Sequence, residues 1–221
     1  MEKRGLKIGT YDTVVDGQWL LTGLVFSDPV QVTDYVEVPG RRKGPLDLTA
    51  SLTDGDPTYE SRTLTATFES SEGSRLEREN RIEVMTNRLN GWKWDITLPD
   101  DNKHYIVGRV SVSKLYNDTA HASVQVTAIC EPWRYKNEET KVVLIGATEV
   151  QTATLYNNGR LMTQPHLTVT GGDVLLAMGG LNWALSPGNY VLPDLLLPQG
   201  GKTITYSGAG TLTFTYREGI L

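Results

Sequence analysis

Near the end of the chain, Leu212, Phe214 and Tyr216 alternate with Thr211, Thr213 and Thr215. This is the period of two that turns one face of a strand toward a core and the other toward water. The segment Lys202-Thr203-Ile204-Thr205-Tyr206 repeats the scheme, and Ser207-Gly208-Ala209-Gly210 between the two supplies turn residues. Together they are expected to pair as a C-terminal β-hairpin. Val124, Val126, Ala128 and Cys130 form another alternating set, as do Leu64, Ala66 and Phe68, so strands are expected in both halves. Cys130 then falls on a core face, where a thiol behaves as a small hydrophobe.

One segment breaks this pattern. Ser74-Arg75-Leu76-Glu77 has the spacing of a capping box, and Ile82, Met85 and Leu89 then share one helical face. Asn90 and Gly91 end the run, and Trp92-Lys93-Trp94-Asp95-Ile96 resumes alternation. A single helix over about 74–90, packed across a sheet, is predicted.

A boundary is expected near residues 132–141, where Pro132-Trp133-Arg134-Tyr135 gives way to a polar run from Lys136 to Lys141. The two domains are read as 1–136 and 137–221. Beyond Val142 charges thin out and turn signals recur at Asn157-Asn158-Gly159, Gly171-Gly172, Gly179-Gly180, Pro187-Gly188-Asn189 and Gly200-Gly201. Short strands at that spacing suggest a sandwich of the jelly-roll or lectin-like kind, and the fold class is mainly β.

Composition narrows the function classes. The 221 residues suit two small cores, 39% apolar and 21% charged residues describe a globular chain, and the formal charge is -5. That balance lacks the basic excess of a nucleic-acid binder, and the cluster Arg41-Arg42-Lys43 between Gly40 and Gly44 reads as a solvated turn. No apolar run approaches the roughly 20 residues of a membrane span, and the start Met1-Glu2-Lys3-Arg4 is unlike a secretory signal, so synthesis and folding in the cytoplasm are expected. The single Cys130 closes no disulfide within the chain.

Candidate chemistry is sparse. His104, His121 and His166 lack a second His or Cys at metal-binding spacing, and no Gly-x-Ser-x-Gly elbow or phosphate-cradling loop occurs. Asp54/Asp56 and Asp100/Asp101 sit beside Gly, Pro or Asn and read as turn residues. No cofactor, no metal and no catalytic residue is expected, and the chain reads as binding or architectural.

A resemblance goes further. Gly9-Thr10-Tyr11-Asp12-Thr13 with Trp19, Leu20 and Leu21 resembles the opening strand of the siphophage distal tail protein family. Val36-Glu37-Val38-Pro39-Gly40-Arg41, followed by Gly44-Pro45-Leu46-Asp47-Leu48-Thr49, resembles that family's most recognisable stretch. Tyr59-Glu60-Ser61-Arg62-Thr63-Leu64-Thr65 running into Phe68, and Val126 through Cys130 to Glu131-Pro132-Trp133-Arg134-Tyr135, are similar to its later segments. The likeness spans about residues 6–136. It departs at Arg42-Lys43, where the family's turn is often shorter and acidic.

This resemblance implies a β-sandwich-like, ring-forming N-terminal domain and a galectin-like C-terminal sandwich, whose ending Phe214-Thr215-Tyr216-Arg217-Glu218-Gly219 is like the family's. It implies a homo-hexamer at the virion tail tip, assembled in the host cytoplasm, joining the tail tube protein to tail-tip or baseplate proteins while DNA passes through the ring. Sequence-specific nucleic-acid binding, membrane insertion and enzymatic activity are not implied. The alternative is a carbohydrate-binding module for host-wall sugar. Tyr156, Trp183 and Tyr190 are its candidate aromatic platforms, and each fits a core position equally well.

Overall fold

The computed structural model describes residues 4–40, 44–49, 51 and 56–221, and the chain divides into two units, Met1–Pro132 and Trp133–Leu221. Both are built mainly of strands, with one helix among the described residues. Among the described residues no helix is long and apolar enough to cross a membrane.

The first unit opens on β1 (Lys7–Ile8) and β2 (Tyr11–Asp12), which pair with each other. The chain reverses at Gly9, whose φ of 57° is left-handed and whose missing side chain leaves room for the Trp94 ring. The opening segment is therefore a tight two-stranded turn rather than one strand. There follow β3 (Leu20–Phe26), β4 (Tyr35–Val36), β5 (Leu46–Asp47), β6 (Arg62–Ser70), α1 (Arg75–Leu89), β7 (Lys93–Leu98), β8 (Asp101–Asn117) and β9 (Ala122–Lys136). One sheet orders them β2-β1-β7-β8-β9-β6-β3, and β4 and β5 form a separate two-stranded ribbon.

The core follows from the alternation. Leu64 lies opposite Ala128, Ala66 opposite Val126 and Phe68 opposite Val124, all fully buried. Ile82, Met85 and Leu89 of α1 join the same cluster, as does Cys130. The capping box forms as spaced: Ser74 Oγ accepts the Glu77 amide at 3.3 Å, and Glu77 Oε2 accepts the Ser74 amide at 2.6 Å. Beyond the helix Gly91 takes the left-handed conformation, with φ 82°, while Asn90 is extended.

The second unit contains β10 (Thr140–Ile145), β11 (Gln151–Asn157), β12 (His166–Thr170), β13 (Val174–Met178), β14 (Leu181–Leu185), β15 (Gly188–Val191), β16 (Gly200–Gly208), β17 (Thr211–Tyr216) and β18 (Gly219–Ile220). Its two four-stranded sheets run β10-β17-β12-β15 and β11-β16-β13-β14. They share one core, with Leu167, Leu212 and Phe214 from the first against Leu155, Leu176 and Ile204 from the second. This order is a jelly roll: every connection from β10 to β17 changes sheet except β13 to β14. There Gly179 and Gly180, with φ of 59° and 89°, make the tight turn between paired neighbours.

The expected C-terminal hairpin is therefore absent. β16 pairs with β11 and β13, whereas β17 pairs with β10 and β12. The glycines between them carry the chain from one sheet to the other, and a side chain on Gly208 would collide with the Asp173 carbonyl at 2.3 Å. A glycine-rich spacer between two alternating runs serves a hairpin or a sheet crossing equally. Gly188-Asn189 and Gly200-Gly201 likewise lie within β15 and β16 rather than in turns.

The polar run after Tyr135 is tied down within the second unit. Tyr135 and Arg134 pair with Gly219 and Ile220 of β18, and Arg217 donates to the carbonyls of Lys136 at 2.8 Å and Asn137 at 2.9 Å.

Candidate assembly surface

Val30, Val32, Val36 and Val38 alternate like a half-buried strand, yet between Leu20 and Ser61 no described residue is buried. The segment extends the β3–β6 pairing outward as a ribbon: the Glu60 amide donates to the Val30 carbonyl at 2.9 Å and the Val32 amide to the Thr58 carbonyl at 3.0 Å. Farther out, Tyr35 lies opposite Asp47 and Val36 opposite Leu46. Tyr35 is 60% exposed and Val30 53%. An isolated two-stranded ribbon is marginal in water, and this one leaves a series of apolar side chains open to solvent. Arg41, Arg42 and Lys43, expected as a solvated turn, lie outside the described residues. Sequence reasoning did not single out Val30, Val32 or Tyr35. The signal was their alternation itself, which a local reading assigns to the chain's own core.

In the second unit, strand register sorts the three aromatic candidates. Trp183 lies opposite buried Leu176 and packs on the core, and Tyr190 lies opposite buried Leu167, its hydroxyl donating to the Ser186 carbonyl at 2.7 Å. Tyr156 points outward and is 58% exposed. Trp183 and Tyr156 belong to the two edge strands of one sheet and Tyr190 to the other sheet, so the three do not converge.

The titratable candidates are dispersed. His104 Nδ1 lies 2.8 Å from Asp101 Oδ1, while His121 and His166 are exposed. Asp54 lies outside the described residues, and Asp56 is exposed. Cys130 is buried, and burial pushes its thiol up to about 11. Among the described residues no three His, Cys, Asp or Glu side chains are grouped so as to hold a metal ion.

Taken along its whole length, the chain has a fold shared with a phage adsorption-hub protein. That protein is SPP1 Dit, whose crystal structure presents it as a paradigm of the hub adsorption apparatus in phages infecting Gram-positive bacteria. All of this chain matches all of that one, with a TM-score of 0.71 and 14% identity. At this identity the likeness is one of fold. No family model matches the sequence, and no curated protein matches it.

Proposed function

We propose that this chain is a structural subunit of a phage or prophage tail tip, a distal tail protein. In this reading its first unit closes into a hexameric ring that joins the tail tube to the tail-tip or baseplate complex. The observation that carries the proposal is the match to SPP1 Dit over the full length of both chains, which takes in both units of this one. The open ribbon supports it, because a ring is closed by head-to-tail contacts in which an exposed apolar surface of one copy is covered by a different face of the next. A formal charge of -5 suits a ring that lets DNA pass without retaining it. Assembly takes place in the host cytoplasm, and the finished protein resides at the virion tail tip. Its role is architectural rather than enzymatic.

Light scattering after gel filtration, over a range of concentrations, tests the ring. The expected mass is six times the 24.4 kDa of one chain. Tyr35→Asp with Val36→Asp, on exposed positions, is expected to reduce the particle to single chains while circular dichroism is unchanged. A single-chain mass at every concentration would overturn a ring that closes by itself.

A further inference from the structure

Two stretches of chain leave the sheet of the first unit at one corner. The β3–β6 ladder ends at Phe26 opposite Leu64, and from Ser27 the chain runs out into the ribbon. The β6–β9 ladder ends at Arg62 opposite Cys130, and β9 runs on without β6 as far as Lys136. Arg62, 6% exposed, stands at that corner and touches both departing stretches. Its Nε donates to the Ser27 carbonyl at 2.7 Å and its Nη1 to the Pro132 carbonyl at 3.4 Å, while the guanidinium lies 3.6 Å from the centre of the Phe26 ring.

Both stretches depend on a fastening at that point. Pro132 has no N–H, so β9 cannot donate to a ladder there, and its carbonyl is met from the side by Arg62. Ser27 is the root of the ribbon: its amide donates to the Thr63 carbonyl at 3.0 Å and its Oγ accepts the Thr63 amide at 2.8 Å, which aims its own carbonyl at Arg62. A guanidinium carries its donors in a rigid planar fork and stacks on aromatic rings, so two carbonyls bonded to one fork are restrained together. A lysine ammonium, a point charge on a flexible stem, can bond one carbonyl without orienting the other.

We infer that Arg62 couples the ribbon to the strand that leads into the second unit, so that ordering the ribbon also orders residues 131–134. The coupling is carried by restraint rather than by a change of shape: a contact that quiets the ribbon quiets Ser27, and the shared guanidinium passes the restraint to Pro132. Arg62 is a positioning residue in this scheme, and Phe26 is the surface on which its fork is held flat. The consequence for the tail rests on the ring reading: closing the ring covers the ribbon and thereby stiffens the entry to the second unit, which is looser in the free chain. The coupling itself lies within one chain and does not depend on ring formation.

The test is amide hydrogen exchange on the full chain, read residue by residue by NMR. Every sample carries Tyr35→Asp and Val36→Asp, which are expected to keep the protein as single chains, so that loss of a ring cannot imitate the effect and absence of a ring cannot hide it. Val30→Gly with Val32→Gly loosens the ribbon at two exposed positions. It is expected to speed exchange at Trp133 and Arg134 about threefold or more. With Arg62→Lys in place, the same glycines are expected to leave those two amides unchanged, although the ribbon's own amides still quicken. An arginine that only fills its corner predicts otherwise: its loss loosens the surroundings, but the glycines then act on Trp133 and Arg134 equally in both backgrounds. If Arg62→Lys fails to fold, Phe26→Leu, which removes the ring beneath the guanidinium, is expected to uncouple the two stretches likewise and carries the comparison. Unchanged exchange at Trp133 and Arg134 in the arginine background, or equal acceleration in both backgrounds, overturns the assignment.

Discussion

The carboxylate of Glu218, 1% exposed, is paired with the ammonium of Lys136, and this pair fastens the end of the chain to the start of the second unit. The backbone and side-chain amides of Asn158 donate to the other carboxylate oxygen, each at 3.2 Å. Burial alone would raise the Glu218 pKa, but the hydrogen bonds from Lys136 and Asn158 outweigh it and hold the group below the ordinary glutamate value of 4.5. A carboxyl whose pKa is lower folded than unfolded contributes stability fully above the unfolded value. The contribution is lost as pH falls through the folded value. The second unit is therefore expected to weaken in urea below about pH 4.5, and Glu218→Gln to flatten that dependence. At pH 7, Glu218→Ala is expected to cost about 2–3 kcal/mol, toward the low end for a buried pair because Lys136 remains partly solvated.

The same contacts set where the second unit can be cut. A fragment of residues 133–221 keeps Arg134 and Tyr135 on β18 and Lys136 on Glu218, whereas one of residues 137–221 loses them all. The longer fragment is expected to unfold cooperatively with a clearly higher urea midpoint, since a domain this small has little stability in reserve. Equal midpoints would mean that the clasp contributes nothing.

Arg78, on the buried side of α1, donates to the carbonyls of Gly73 at 2.5 Å, Asp118 at 2.9 Å and Thr119 at 3.1 Å. It pins the loop after β8 to the start of the helix. Arg78→Met removes the hydrogen bonds that a buried guanidinium makes to three loop carbonyls and is expected to cost about 2–3 kcal/mol, against about 1 kcal/mol for removing the cap by Ser74→Ala. Chemical denaturation of both variants checks the order, and a cap variant more damaging than the arginine variant would reverse it.

Cys130 supplies a probe of the first unit. With its thiol pushed up to about 11, mainly by burial, it is expected to resist a thiol-specific reagent at pH 8 and to react only as fast as the first unit opens. A Cβ on Gly108 would stand 2.6 Å from Cys130 Sγ, so Gly108→Ala is expected to accelerate labelling and to destabilise by about 1–3 kcal/mol. Labelling of the native protein at the rate of a free thiol would contradict the burial.

Where a few consecutive residues decide the outcome, the sequence was enough. The helix starts after Ser74 because cap and Glu77 stand three apart, and Leu64, Ala66, Phe68 and Cys130 reach the core because their parity matches the pleat. Parity also held information that was not used: Leu181, Trp183 and Leu185 share one side of β14, whereas Tyr156 falls opposite in phase to Leu155. Tertiary structure alone decided the rest. It separated β16 from β17, left the alternating valines of the ribbon uncovered, seated Tyr156 over Gly201, and brought Glu218 to Lys136 across 82 residues of chain. The physical reason is common to all four. A period of two states that one face will be buried, but the free energy that chooses the covering surface comes from contacts between residues far apart in sequence, which no local window contains.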